Sequence, residues 1–144
     1  AMLTEAGLKT AMAPNIMGLM WRKFVLICAP SVFAVARGPI SRVWSSELGA
    51  GLLQALSESM AVANAEGITL PDTLSNTIVG LDAKVPPEYK PSLLLDLERG
   101  NRLEVEAISG VVSRLGKKSG IPTPINDLIY ACLKPYANGT PKAS

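Results

Sequence analysis

The chain has 144 residues, of which 48% are hydrophobic and 18% charged, with a net charge of +2. That length suits one domain with a substantial core. The charges are too few and too scattered for a nucleic-acid surface, and with no histidine the chain has no His-based triad, zincin helix or His-ligated zinc.

The charged fraction also falls short of the roughly 25% usual for soluble proteins. One or more apolar faces are therefore expected to meet another domain or subunit. Cys28 and Cys132 lie far apart, inside apolar runs. They read as small buried hydrophobes in a reducing cytoplasm, too isolated to form a thiolate metal site.

In chain order, residues 3–12 read as the end of a preceding helix or loop, and the chain is expected to begin within a longer protein. Asn15 can cap the helix that follows Pro14. Residues 16–35 are apolar on nearly every side, which predicts an interior helix, and Pro30 should kink or divide it. The apolar run 24–36 is too short for a membrane span of about 20 residues. Arg37-Gly38-Pro39 is a turn signal. A second helix is expected over 43–66, with Gly67 just past its end. A short segment over 72–81 has Asp72 as its candidate cap. Val85-Pro86-Pro87 reads as a linker.

Residues 90–120 predict two helices end to end. Leu93, Leu94 and Leu97 mark the buried side of the first. Leu103, Ala107, Ile108, Val111, Val112 and Leu115 recur at three- and four-residue steps on the second. Gly100 suits the left-handed residue between them. Thr123 and Pro124 suit the N-cap and first position of a terminal helix ending near Leu133. No stretch sustains a strand period. The domain therefore reads all-α over residues 1–137, with a disordered polar tail over 138–144.

Three landmarks occur in order. They are Trp21-Arg22-Lys23; Ser92 and Asp96 followed by Leu103-Glu104-Val105-Glu106 and Gly110; and Gly120-Ile121-Pro122-Thr123-Pro124-Ile125-Asn126. Together they resemble the C-terminal domain of the ketopantoate reductases (2-dehydropantoate 2-reductases), over residues 3–136. The resemblance implies a helical domain similar to that of 6-phosphogluconate dehydrogenases. It also implies hydride transfer to a 2-keto acid, as in pantothenate biosynthesis, in a cytoplasmic homodimer with no membrane or nucleic-acid partner. NADP would be held mainly by the chain's own N-terminal Rossmann domain. No G-x-G-x-x-G fingerprint or βαβ unit is present here to cradle a pyrophosphate, so the isolated domain is expected to be inactive.

The resemblance assigns roles residue by residue. Lys23 would donate a proton to the keto oxygen, and its ammonium would stabilise the developing alkoxide. The competing reading is a helix-edge lysine reaching for water. Glu104 would contact the cofactor ribose and hold the lysine, with Leu103 where the family has Thr. Against this, Asn101-x-x-Glu104 has the spacing of a capping box. Ser92 would bind substrate, or simply cap a helix. Asp96 would share its face and organise the neighbourhood. The family's substrate-binding amides correspond here to Ile27, Ser31 and Ser41. Serine can replace a hydrogen bond and isoleucine cannot, so the particular 2-keto acid stays open. A different class of reading is a helical dimerisation module whose chemistry has decayed; a stand-alone helical adaptor is a third.

Overall fold

The computed structural model describes residues 2–80 and 84–140. Among the described residues it is all-α, as expected, with no strand. The helices are α1 (Met2–Glu5), α2 (Ile16–Cys28), α3 (Ser31–Ala36), α4 (Ile40–Trp44), α5 (Leu48–Ala65), α6 (Leu74–Val79), α7 (Ser92–Arg99), α8 (Ser109–Ser119) and α9 (Pro124–Leu133), closed by a 3-10 turn over Lys134–Tyr136. The long helix α5 is the hub. It packs against α2, α3, α4, α6, α8 and α9, and α8 and α9 pack as a hairpin beside it. Phe33, Ile40, Leu52, Leu56, Leu74 and Leu94 are fully buried around it, each contributing about 1.5–3 kcal/mol on leaving water.

Several helix ends fall where the local chemistry puts them. The Asn15 side chain accepts from the Gly18 N–H at 2.8 Å. Gly100 ends α7 in the left-handed region, φ 71°. Pro124 opens α9 with Thr123 at the N-cap. Pro30 divides α2 from α3. Together they form a helical stretch Ile16–Ala36 of 21 residues. By length and composition it could cross a membrane, which corrects the expectation from the shorter run. Its C-terminal half is core: Val25, Cys28, Ala29, Val32, Phe33 and Ala34 are all buried.

Other expectations are corrected. The N-terminal half of α2 is not interior, since Ile16, Met17, Leu19 and Met20 are half-exposed or more. The 43–66 helix breaks at residues 45–47. There the Ser46 hydroxyl donates to the Val43 carbonyl at 3.0 Å and competes with helical pairing. Asp72 does not cap α6 with its side chain; its carbonyl accepts from the Ser75 hydroxyl at 3.0 Å. Leu81, the expected end of that segment, lies outside the described residues. Cys132 is exposed, whereas Cys28 is buried. Burial pushes the Cys28 thiol far above its usual range, and a hydrogen bond with Ser59 offsets only part of that.

The second helix of the 90–120 region starts later than its periodicity suggests. Leu103 and Val105 are buried while Glu104 and Glu106 are exposed, an alternation with a period of two. The Leu103 N–H donates to the Ala137 carbonyl at 3.1 Å, and the Thr140 N–H to Gly100 at 3.3 Å. These bonds hold residues 100–103 against residues 137–140, and a turn over 105–108 leads into α8. The rest of the expected tail, 141–144, lies outside the described residues.

Candidate active-site cleft

The helical face running from Lys23 through Leu26, Ile27 and Pro30 to Ser31 forms one wall of a cleft of about 530 Å³. Residues three, four, seven and eight apart share a helix face, so the Lys23 side inevitably carries the other four. The facing walls bring Thr77 and Ile78 from α6, and Tyr89, Pro91, Ser92 and Leu93 from the start of α7. Glu104 and Ile108 come from the turn before α8. Lys23, Glu104, Ser92 and Ser31 thus converge from three separate parts of the chain.

Glu104 reaches the cleft because the chain leaves the helical path at residues 101–104 and enters the turn over 105–108. With Leu103 and Val105 turned into the core, the side chain between them turns outward. The expected capping box is not formed. The Asn101 amide donates instead to Asp96 at 3.0 Å, and among the described residues the Glu104 carboxylate accepts no hydrogen bond and joins no ion pair. It is available to an oxygen or cation arriving from outside. Lys23 is likewise exposed, and no ion pair under 4 Å links it to Glu104 among the described residues. The gap between them is open to a third group.

Ser92 stands at the first helical position of α7, and Pro91 occupies the N-cap. Its hydroxyl makes no capping bond, so the competing N-cap reading does not hold. Ser31 differs from the others: it is 1% exposed, and its Oγ is buried with no hydrogen-bond partner. An orphaned hydroxyl lining a cleft is a standing site for a ligand or water hydrogen bond.

Two expected residues stand outside the lining. The Ser41 side chain is exposed elsewhere, but its backbone N–H donates to the Pro87 carbonyl at 3.2 Å, and the neighbouring Ile40 N–H to Tyr89 at 3.0 Å. These bonds pin the loop that carries Tyr89 and Ser92 to the cleft. Asp96 holds the Gly100–Asn101 turn through its bond from Asn101.

Sequence reasoning missed Tyr89 and Thr77 in the lining. Tyr89 sits three residues before Ser92, and that proximity was the available signal; Thr77 carried none. It also missed Glu58. This acid on the buried side of α5 is 3% exposed. It accepts from the Ile125 and Asn126 N–H groups at 3.0 Å each and from the Asn126 amide at 2.8 Å. It thereby caps α9 from another helix, and its charge stands at the positive end of the α9 dipole. An acid on the apolar stripe of a helix was the legible clue.

On the outer side of the 103–106 passage, the Tyr130 hydroxyl donates to the Glu106 carboxylate at 2.9 Å and accepts from Lys134 at 2.9 Å. That bond, chiefly, holds the Glu106 carboxyl below its usual range and the Lys134 ammonium above its own. Both groups are fully exposed. The cluster fastens the passage to α9, next to the segment that presents Glu104.

The family profile described as "Ketopantoate reductase PanE/ApbA C terminal" matches residues 15–137. The 2-dehydropantoate 2-reductase of Caulobacter vibrioides is 31% identical over 117 residues, covering 81% of this chain and 40% of that protein. The chain thus spans less than half the length of this relative. The crystal structure of a PanE/ApbA family ketopantoate reductase from Ralstonia eutropha JMP134 superposes with a TM-score of 0.84 at 31% identity, over 93% of this chain and 45% of that one. A dimeric ketopantoate reductase from Staphylococcus aureus gives a TM-score of 0.81 at 28% identity, over 88% and 45%.

Proposed function

This chain belongs to the ketopantoate reductase family as its C-terminal domain, and from that premise we propose that it is the substrate-binding and dimerising half of an NADP-dependent oxidoreductase reducing a 2-keto acid. The observation that carries the reading is the meeting of Lys23, Glu104, Ser92 and the partnerless Ser31 hydroxyl in one cleft. An ammonium and a carboxylate from distant parts of the chain, neither engaged with the other, suit a site whose third component is the substrate.

In this reading the substrate carbonyl lies against Lys23. The Lys23 ammonium donates a hydrogen bond to the keto oxygen and then the proton itself, as negative charge grows there. Lysine regains its proton from water. Ser92 orients the acid from the start of a helix where N–H groups favour an anion, and Ser31 offers its hydroxyl to the far end of a longer substrate. Ser41 and Asp96 act as positioning residues, through the 87–89 loop and the 100–101 turn. The cofactor in its reduced form, NADPH, would supply the hydride to the carbonyl carbon and leave as NADP+. Of the described residues Glu104 fits it best, as an acceptor for a ribose hydroxyl. The phosphates require the nucleotide-binding domain, which also closes the cleft and desolvates Lys23.

The exposed apolar residues of α2 support burial against that domain or a second subunit, and the S. aureus relative is described as dimeric. The core position of the 25–34 stretch favours a cytoplasmic protein over a membrane-anchored one.

The test uses the protein that carries both domains. NADPH oxidation is followed against a panel of 2-keto acids, with Lys23→Ala beside the parent. Turnover that falls about 10³-fold in the variant, with the unfolding midpoint unchanged because Lys23 is exposed, supports the reading. A second reading, a dimerisation module with decayed chemistry, is favoured by Ile27, Ser31 and Ser41 standing where the family carries amides. A stable dimer with no turnover of any acid would establish it instead.

A further inference from the structure

The wall between Lys23 and Ser31 determines which 2-keto acids the cleft suits. Leu26, Ile27 and Pro30 occupy it, and Ile78 and Ile108 also line the cleft. Ile27 is 44% exposed, a large aliphatic surface left for contact with whatever fills the space. It lies one turn beyond Lys23 on the same helix face, within reach of the side chain of a 2-keto acid whose carbonyl is held at Lys23.

On the premise of the reductase reading above, we infer that the substrate is a 2-keto acid whose side chain is apolar and unhydroxylated. An isoleucine can neither donate nor accept a hydrogen bond, so a substrate hydroxyl pressed against it loses its water without replacement. The Ser31 hydroxyl does not rescue a short substrate. It stands eight residues from Lys23, roughly 12 Å along the helix axis, whereas the hydroxyl of a four-carbon 2-keto acid lies within a few bonds of its carbonyl. Ser31 is within reach only of a longer substrate, or holds water at the end of the cleft.

Two acids isolate the effect. Ketopantoate and 3,3-dimethyl-2-oxobutanoate share the keto acid and the quaternary carbon. They differ only in a hydroxymethyl group against a methyl. With the two-domain protein and NADPH, kcat/KM for the dimethyl acid is expected to exceed that for ketopantoate by about 10- to 100-fold, the discrimination an apolar wall gives against an added hydroxyl. Ile27→Asn is expected to lower that ratio at least tenfold. A parent ratio below ten, or a ratio that Ile27→Asn leaves unchanged, overturns the inference while the reductase reading stands. No turnover of either acid, or of any other 2-keto acid, removes both. If Ile27→Asn fails to fold, the parent ratio alone decides.

Discussion

Ser31 is the residue at which stability and the proposed substrate contact pull in opposite directions. Its hydroxyl is buried without a partner, and such a group costs the fold about 1–3 kcal/mol. Ser31→Ala removes that cost at the price of a small cavity. The variant is therefore expected to be as stable as the parent or up to about 1 kcal/mol more so by chemical denaturation, while its kcat/KM falls for 2-keto acids long enough to reach it. Loss of stability without loss of activity would make Ser31 an ordinary core residue, its hydroxyl served by an internal water. Lys23 and Glu104 are the opposite case. Both are exposed, both lie in the cleft, and neither is engaged by a neighbour among the described residues. Their substitution should cost little stability, because the fold draws nothing from them.

At the scale of elements, the contact that matters most is the cap of α9 by α5. Glu58 satisfies two N–H groups at the start of α9 and the Asn126 amide, which also donates to the Ala55 carbonyl at 3.0 Å. Removing the acid leaves the Ile125 and Asn126 N–H groups without that acceptor, and the Asn126 amide with the Ala55 carbonyl alone. Glu58→Ala is expected to destabilise the domain by about 3 kcal/mol, the cost of a charged acceptor shared among buried donors. Hydrogen exchange should quicken first at Ile125 and Asn126, and a fall below about 1 kcal/mol would show that water takes over the cap. The α8–α9 turn is tight for a related reason. A Cβ at Gly116 would lie 2.7 Å from the Thr123 methyl and 2.8 Å from the Ile121 carbonyl, so the motif leading to Asn126 needs glycine there. The connections leading into α7 and α8 are held in the same way, by backbone pairing between distant segments: Ile40 with Tyr89, Ser41 with Pro87, Leu103 with Ala137.

For the whole molecule, the cleft is half a site in the proposed reading. The described residues bring an ammonium, a carboxylate and the hydroxyls of Ser31, Thr77, Tyr89 and Ser92 to it, but no glycine-rich strand–turn–helix to hold a dinucleotide. The chain by itself is expected to unfold cooperatively by circular dichroism and to oxidise no NADPH with any 2-keto acid. The two-domain protein is expected to unfold cooperatively and to oxidise NADPH with at least one 2-keto acid. Turnover by the chain alone at a rate comparable to the two-domain protein would mean the cofactor site lies within these residues. The exposed apolar side of α2 fits the same picture, because a domain with too few charges to cover its surface leaves an apolar face for a neighbour.

The sequence by itself determined what depends on a few adjacent residues. Asn15 caps, Pro30 divides, Gly100 turns and Pro124 starts a helix through local backbone chemistry, which needs no distant partner. The all-α class and the order of the landmarks were legible for the same reason. Tertiary structure alone decided the rest. Period counting ran a helix through residues 103–108, yet pairing of Gly100 and Leu103 with residues 137–140 holds the chain out of the helix as far as residue 104, and a turn over 105–108 follows before α8 begins. The same counting placed α2 wholly inside, although whether an apolar side is covered depends on which other elements reach it. Glu58 was an oddity on an apolar stripe until α9 was brought against it. The convergence of Lys23, Ser31, Ser92 and Glu104 is of this kind, since their spacing in the chain says nothing of their distance once α5 has gathered the helices around it.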